Sequence, residues 1–249
     1  VNASNIEKDW NWISQHNKSA LMENISDDMS LLAVQGPKAI DLLQELTQEN
    51  LSDISFYHFK SMVFAGFDNI IVSATGYTGA GGFELYIPND IAAEVWNKVF
   101  EIGAKYGLEP IGLAARDTLR LEMGYCLYGN DIDEKTSPIQ AGLGWVTKFT
   151  KSFINDSSIK LQKENGVPRK LIGFELLDRG IPRKDYDIVD ESGNSIGIVT
   201  SGTMGPSVKK SIGLGYVDIS FSKPGSKIYL SIRNKSISAE VVKLPFYKS

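Results

Sequence analysis

Residues 62–74, Met-Val-Phe-Ala-Gly-Phe-Asp-Asn-Ile-Ile-Val-Ser-Ala, carry the local pattern that decides the fold class. Two apolar, strand-like runs, residues 62–65 and 70–74, flank a turn at residues 66–69. Runs rich in β-branched and aromatic residues on both sides of a glycine-containing turn are typical of a β-hairpin. We therefore expect two neighbouring antiparallel strands in the first half of the chain.

Strands and helices alternate on both sides of this hairpin. A short amphipathic helix is predicted at residues 5–16, a strand at 30–34 with a helix after it, and a strand at 83–87. The last strand precedes a helix whose apolar residues recur at helical spacing, namely Ile91, Val95, Val99 and Ile102. This succession predicts an α+β fold with a split βαβ sheet and helices on one side.

The pattern changes near residue 150. A polar helix is predicted at residues 155–165, and residues 167–170 are typical of a linker. Short β-rich runs separated by Gly, Pro and Asn follow at residues 171–177, 187–189, 195–200, 212–217, 227–232 and 236–243. Such spacing favours a small β-barrel or sandwich. We therefore divide the chain into residues 1–150, a linker helix at 151–168 and a C-terminal β domain at 169–249.

Composition limits the possible functions. The net charge of −4 and the sequence pI near 5.3 argue against a general binder of nucleic acid or anionic membranes. The single cysteine, Cys126, excludes an internal disulfide, and with two histidines it cannot form a His/Cys zinc cluster, so we expect no metal. No apolar run approaches the roughly 18 residues of a membrane span. We expect a cytoplasmic protein, or a mitochondrial matrix protein if it is eukaryotic.

Residues 111–133 set charged side chains among leucines. Buried charges are costly unless they are paired, so Arg116, Asp117, Arg120 and Glu122 predict a charge network beside a site. Arg116 follows two alanines, which leave room for its guanidinium to bind a carboxylate at two points. The alternative is a structural ion pair of Arg116 with Asp117 at a helix start.

The glycine-rich residues 76–82 form a second candidate site. They lack the motifs of a phosphate-binding loop and lead into a strand, so a hairpin connection with positive φ angles is one interpretation. The other is a loop that lets a flat ligand approach, with Tyr77 at its edge. Glu84 follows in an alternating strand and is either solvent-facing or functional. With Cys126 interpreted as an inert thiol, no nucleophile is evident, which favours chemistry by positioning.

Three stretches taken together resemble one family. They are Leu-Ala-Val-Gln-Gly-Pro at 32–37, Thr-Gly-Tyr-Thr-Gly at 75–79 with Gly-Phe-Glu at 82–84, and residues 112–122 with Leu-Tyr-Gly-Asn-Asp at 127–131. The chain is similar to the T proteins of the glycine cleavage system, and residues 200–203 and 244–247 match their C-terminal barrel. The resemblance implies the remnant of a first domain, a ferredoxin-like folate-binding α+β domain and a C-terminal β-barrel.

The resemblance also implies a reaction. The methylene carbon of an aminomethyl group on the lipoyl arm of the H protein moves to tetrahydrofolate, and ammonia is released. Tetrahydrofolate is then a substrate, and the partners are the H protein and small-molecule folate. Two alternatives remain open: another folate-dependent demethylase or one-carbon transferase of the same superfamily, and a non-catalytic folate-binding module.

Site residues follow from the same resemblance. It implies that Glu84 binds the amino-pyrimidine edge of the pterin, that Arg116 lies in the same folate site, and that Asn2 lines the folate pocket. Further ring-packing positions are Tyr57, Tyr77, Tyr125 and Trp145. The family's acidic residue near the reacting nitrogen, an Asp, is expected to lie upstream of Val1. We therefore assign no catalytic residue here and expect that residues 1–249 alone do not catalyse at full rate.

Overall fold

The computed structural model describes residues 3–233 and 235–248, so the predicted site residue Asn2 lies outside the described part. The chain divides into two compact units, Val1–Pro110 and Ile111–Ser249.

The first unit combines helices with an antiparallel sheet. Its elements are α1 (Ile6–His16), β1 (Met29–Gln35), α2 (Ala39–Gln44), β2 (Phe59–Phe64), β3 (Phe67–Ser73), β4 (Gly82–Pro88) and α3 (Asn89–Gly103). The strand order is β1-β4-β3-β2, and each neighbouring pair is antiparallel. Strands β1 and β3 therefore run in the same direction with β4 between them, as a split βαβ sheet requires.

The core of this unit lies on one face of the sheet. Strand β4 alternates, with Phe83, Leu85 and Ile87 buried and Glu84 and Tyr86 on the opposite face. The buried residues join a cluster with side chains of the neighbouring strands and of α2 and α3, among them Ile70, Val72, Leu42, Leu43, Val95 and Val99. Each fully buried aliphatic side chain contributes about 1.5–3 kcal/mol, so this face anchors the sheet and leaves the face of Glu84 for other contacts.

The turn of the central hairpin is shorter than the sequence predicts. Phe64 pairs with Phe67, which leaves Ala65 and Gly66 as the turn, with φ angles of 53° and 84°. Two-residue turns with both φ angles positive match the twist of the flanking strands. The predicted turn at residues 66–69 is therefore wrong in position, because Phe67 already belongs to β3.

The second unit is built on a closed barrel. Helix α4 (Leu113–Glu122) and helix α5 (Asp156–Asn165) precede β5 (Arg169–Leu176), β6 (Asp187–Val189), β7 (Ser195–Gly205), β8 (Lys210–Asp218), β9 (Lys227–Ile232) and β10 (Lys235–Val242). The strands close in the order β10-β5-β8-β7-β6-β9. The α+β class with a C-terminal β-barrel is thus confirmed, and of the two predicted β architectures the barrel is present. Helix α4 packs against β7 and β8.

Candidate functional site

Glu84 is half-buried on the sheet face that points away from the core of the first unit. In the register of the sheet it lies between Ala33 of β1 and Ser73 of β3. The Thr75 hydroxyl donates a hydrogen bond to Glu84 Oε2 at 2.5 Å. The negative charge of Glu84, together with burial, raises the pKa of the neighbouring Tyr86, burial being the larger cause. Glu84 is therefore held by Thr75 and only partly exposed to solvent.

Gln35 holds the loop that precedes Glu84. Its Nε2 donates to the carbonyl oxygens of Thr75 at 3.1 Å and of Phe83 at 3.2 Å, and its Oε1 accepts from the Thr78 hydroxyl at 3.1 Å. A Cβ on Gly76 would lie 1.9 Å from Gln35 Oε1, so the glycine is required for this packing. The sequence reasoning missed this role of Gln35, and its one signal was the glutamine in the motif at residues 32–37.

The glycines of the loop have a conformational reason as well. Gly79, Gly81 and Gly82 have φ angles of 69°, 75° and 126°. A Cβ on Gly82 would also lie 2.3 Å from the carbonyl oxygen of Val34. The loop joins two paired strands, β3 and β4, which confirms the hairpin interpretation. Tyr77 is half-buried within this loop.

Tyr57 lies two residues before strand β2. Its side chain is 72% exposed, its φ angle is 66°, and its ring centroid lies 4.1 Å from that of Phe56. The backbone N–H of Tyr57 donates to Ala74 O at 3.0 Å, which fixes this turn next to the end of β3. A bulky residue with positive φ is strained and is found where surrounding structure enforces it.

In the second unit, helix α4 runs from an exposed first turn to a buried last turn. Leu113 is 81% exposed and Arg116 is exposed, whereas Arg120 and Glu122 are 1% and 2% exposed. Arg120 and Arg116 are four residues apart and so lie on the same side of the helix.

The guanidinium of Arg120 has several ion-pair and hydrogen-bond partners. It pairs with Asp117 Oδ1 at 2.7 Å and with Asp131 Oδ2 at 2.6 Å, and it donates to Ser201 Oγ at 2.9 Å and to Tyr125 O at 3.3 Å. Of the four charges predicted to form a network, Arg120 and Asp117 pair together with Asp131, whereas the Glu122 carboxylate accepts from backbone N–H groups. A buried guanidinium needs such a set of acceptors.

Asp131 links the same network to the barrel. Besides Arg120, its carboxylate accepts hydrogen bonds from Leu127 N and Ser201 Oγ, both at 2.8 Å, and from the Thr200 hydroxyl. Its carbonyl oxygen accepts from the Tyr216 hydroxyl at 2.9 Å. Hydrogen bonds therefore link residues 125–131, the stretch that Tyr125 begins, to β7 and β8.

Glu122 also links helix α4 to later parts of the second unit. Its Oε1 accepts from the backbone N–H groups of Ser207 at 2.7 Å and Val208 at 3.2 Å. Its carbonyl oxygen accepts from the N–H groups of Phe246 and Tyr247. These bonds satisfy a nearly fully buried carboxylate and close the C-terminal end of α4 against the barrel.

Cys126 lies within this network. Burial raises the pKa of its thiol from 9.0 to about 11, and the nearby carboxylate of Asp131 acts in the same direction. The thiol is therefore protonated at neutral pH, in agreement with the inert role predicted for it.

The predicted folate residues fall in both units. Tyr57, Tyr77 and Glu84 belong to the first unit, where Tyr77 sits in the loop that Gln35 holds before Glu84. Arg116, Tyr125 and Trp145 belong to the second unit, and Trp145 is 68% exposed. Asn2 lies outside the described residues. Their contacts with a ligand stay predictions.

Two kinds of feature are absent from the described residues. Among residues 3–233 and 235–248, no helix is both long and apolar enough to cross a membrane. Within the same part of the chain, no group of three or more His, Cys, Asp or Glu side chains is arranged to hold a metal ion.

Comparison with known proteins identifies the family. Residues 1–151 match the model of the GCVT N-terminal domain, and residues 169–248 match the glycine cleavage T-protein C-terminal barrel domain. An aminomethyltransferase of Flavobacterium psychrophilum is 61% identical over 249 residues, which is 100% of this chain and 69% of that protein. An aminomethyltransferase of Bacteroides fragilis is 59% identical over 251 residues, covering 100% of this chain and 70% of the relative.

A solved structure agrees with these matches. The crystal structure of glycine cleavage system aminomethyltransferase T from Bartonella henselae superposes with a TM-score of 0.87 at 30% identity, over 99% of this chain and 67% of that one. Both family models, the relatives and the fold point the same way. The chain belongs to the glycine cleavage T-protein family.

Proposed function

We propose that the protein is a tetrahydrofolate-dependent aminomethyltransferase of the glycine cleavage system. An aminomethyl group enters on the lipoyl sulfur of the H protein. Its carbon–sulfur and carbon–nitrogen bonds break, and two new bonds join the carbon to N5 and N10 of tetrahydrofolate. The two N–H protons of the folate go to the thiolate and the amine, so ammonia and a dihydrolipoyl arm leave without any oxidant.

The observation that carries this proposal is the match of both family models across the two halves of the chain. Glu84 adds a chemical reason, because a positioned carboxylate pairs at two points with an amino-pyrimidine edge. We propose that Glu84 orients the pterin in this way, so that the protein acts by orienting a reactive ligand.

The remaining predicted residues are assigned to the same ligand class. We propose that the Arg116 guanidinium contacts folate from helix α4. The rings proposed to pack against folate are Tyr57, Tyr77, Tyr125 and Trp145, and Asn2 is proposed to line the pocket. A cytoplasmic or matrix location, and the division into residues 1–150, 151–168 and 169–249, stay predictions.

The test of the activity is ammonia release from aminomethylated H protein with the protein as its gene encodes it. Release that requires both the H protein and tetrahydrofolate supports the proposal. Turnover of a free methylamine donor without the H protein would instead identify a folate-dependent demethylase. Folate binding without any turnover would identify a binding module.

Calorimetry with tetrahydrofolate tests the role of Glu84. Glu84→Ala is expected to weaken binding at least about a hundredfold, because the amino-pyrimidine edge loses two hydrogen bonds to a charged acceptor. Glu94→Ala, which removes an exposed carboxylate from α3, is the matched control and is expected to bind as the wild type does. Equal affinity of Glu84→Ala and the wild type would refute the assignment.

A further inference from the structure

Thr75 lies between the end of β3 and the glycine-rich loop, with its hydroxyl directed at Glu84. Its Oγ1 is 2.5 Å from Glu84 Oε2 and 3.1 Å from Ser73 Oγ. A threonine hydroxyl has one proton, so the bond to the carboxylate leaves Oγ1 to accept from Ser73. The two hydroxyls thus form a short relay, Ser73 to Thr75 to Glu84, that ends on the carboxylate.

Hydrogen bonds also fix the backbone of Thr75. The Gln35 amide donates to the carbonyl oxygen of Thr75 and to that of Phe83, the residue before Glu84. The N–H of Thr75 donates to Ser73 O at 2.9 Å. Gln35 therefore fixes donor and acceptor relative to each other, and Ser73 is itself only 8% exposed.

This arrangement leaves the carboxylate of Glu84 able to bind a ligand. Each carboxylate oxygen has two lone pairs, and the Thr75 hydroxyl occupies one lone pair of Oε2. No hydrogen bond from a described residue reaches Oε1, so Oε1 and the second lone pair of Oε2 remain for two N–H donors of a ligand. A glutamate that is fixed before binding loses less rotamer freedom when the ligand arrives.

We propose that Thr75 is a positioning residue that fixes the Glu84 carboxylate for two-point recognition of the amino-pyrimidine edge of a folate. The inference rests on the proposed function and deepens it. Thr75 acts through Glu84 and not on the ligand, so its effect has to disappear when Glu84 no longer presents a carboxylate.

The experiment is calorimetric titration with 5-formyltetrahydrofolate, a stable folate, of the protein as its gene encodes it. Thr75→Val removes the hydroxyl and keeps the shape, and it is expected to weaken binding about tenfold, because the ligand then has to order the Glu84 side chain when it binds. Thr75→Ser retains the hydroxyl and is expected to stay within about threefold of the wild type. Thr150→Val, at an exposed position of the second unit, is the matched control.

A double-mutant cycle separates positioning from a general structural effect. In a Glu84→Gln background, Thr75→Val is expected to cause no further loss of affinity. A loss that persists undiminished in that background overturns the inference, as does a Thr75→Val variant that binds within threefold of the wild type. If Thr75→Val does not fold, as judged by thermal unfolding, Thr75→Ala and Thr75→Ser give the same comparison.

The two proposals fail in different ways. If the wild type does not bind the folate, the proposed function is overturned and this inference with it. If the wild type binds, Glu84→Gln loses affinity and Thr75→Val does not, only the role of Thr75 is overturned.

Discussion

Replacement of Asp131 by asparagine removes the buried ion-pair partner of Arg120. The substitution keeps the side-chain volume, so no cavity contributes to the result. Asp131 and Arg120 are each 1% exposed, and their charged atoms are 2.6 Å apart. Breaking a buried ion pair from one side typically costs 3–5 kcal/mol, and since Asp117 still pairs with Arg120, we expect the lower end, about 3 kcal/mol.

Asp117→Asn is the matched control, because it removes a carboxylate from the same guanidinium. The Asp117 side chain is 53% exposed, so water replaces much of the lost interaction and the cost should be about 0–1 kcal/mol. Scanning calorimetry of the two variants and the wild type measures both effects. For a unit of this size, Asp131→Asn should lower the transition of residues 111–249 by about 6–12 °C, several times the shift of Asp117→Asn.

A third variant tests the cause of the destabilisation. In an Arg120→Met background there is no guanidinium to lose its partner, so Asp131→Asn should lower the free energy of unfolding much less than in the wild type. The reasoning is refuted if Asp131→Asn destabilises the protein no more than Asp117→Asn does. It is refuted equally if the cost is unchanged in the Arg120→Met background.

Three further outcomes are expected. Gly76→Ala should lower the free energy of unfolding by about 1–3 kcal/mol, since its Cβ would lie 1.9 Å from Gln35 Oε1. Gly112→Ala, at an open position with a φ of −81°, should cost about 1 kcal/mol or less; urea unfolding measures both, and equal costs would contradict the packing argument. The pKa of Cys126 is raised from 9.0 to about 11, so the folded state retains a proton that the unfolded state releases; the resulting stability is present below about pH 9 and lost as the pH rises through 11, and alkylation at pH 8 should be about a hundredfold slower in the folded protein than in urea, whereas equal rates would exclude the shift. Arg116→Ala should change the unfolding temperature by no more than a few degrees, because the interactions of an exposed side chain contribute about 0–1 kcal/mol, and should lose folate affinity by calorimetry; unchanged affinity in the folded variant refutes its role.

Local periodicity predicted several elements closely, although β2 begins at Phe59, three residues before the predicted run. The alternation at residues 83–87 predicts β4 to within one residue of Gly82–Pro88, and the helix predicted at residues 5–16 is α1, Ile6–His16. The error at the central hairpin has a local cause too. Asn69 and Gly66 are both favourable turn residues, and the sequence offers no reason to prefer a turn with Ala65 at a positive φ.

Contacts between distant residues were beyond sequence reasoning. The charges among leucines indicated a network, but its partner Ser201 is 81 residues from Arg120 in the chain. Gln35 and Thr75 are 40 residues apart, and nothing in either local pattern reveals that one holds the other. Periodicity reports which face of an element is buried, whereas the identity of the partner depends on how the elements are packed.

Because residues 111–131 are hydrogen-bonded to the barrel, they affect where the chain can be divided for separate expression. The family model for the N-terminal domain ends at residue 151, yet the compact unit that contains Arg120, Glu122 and Asp131 runs from Ile111 to Ser249. An expression boundary near residue 150 would separate Arg120 and Asp131 from Ser201 on β7, and Glu122 from Ser207 and Val208 in the turn that follows β7. A cut before Ile111 keeps the network whole, so shuffling or crystallising isolated pieces should use that junction and not the edge of the sequence match.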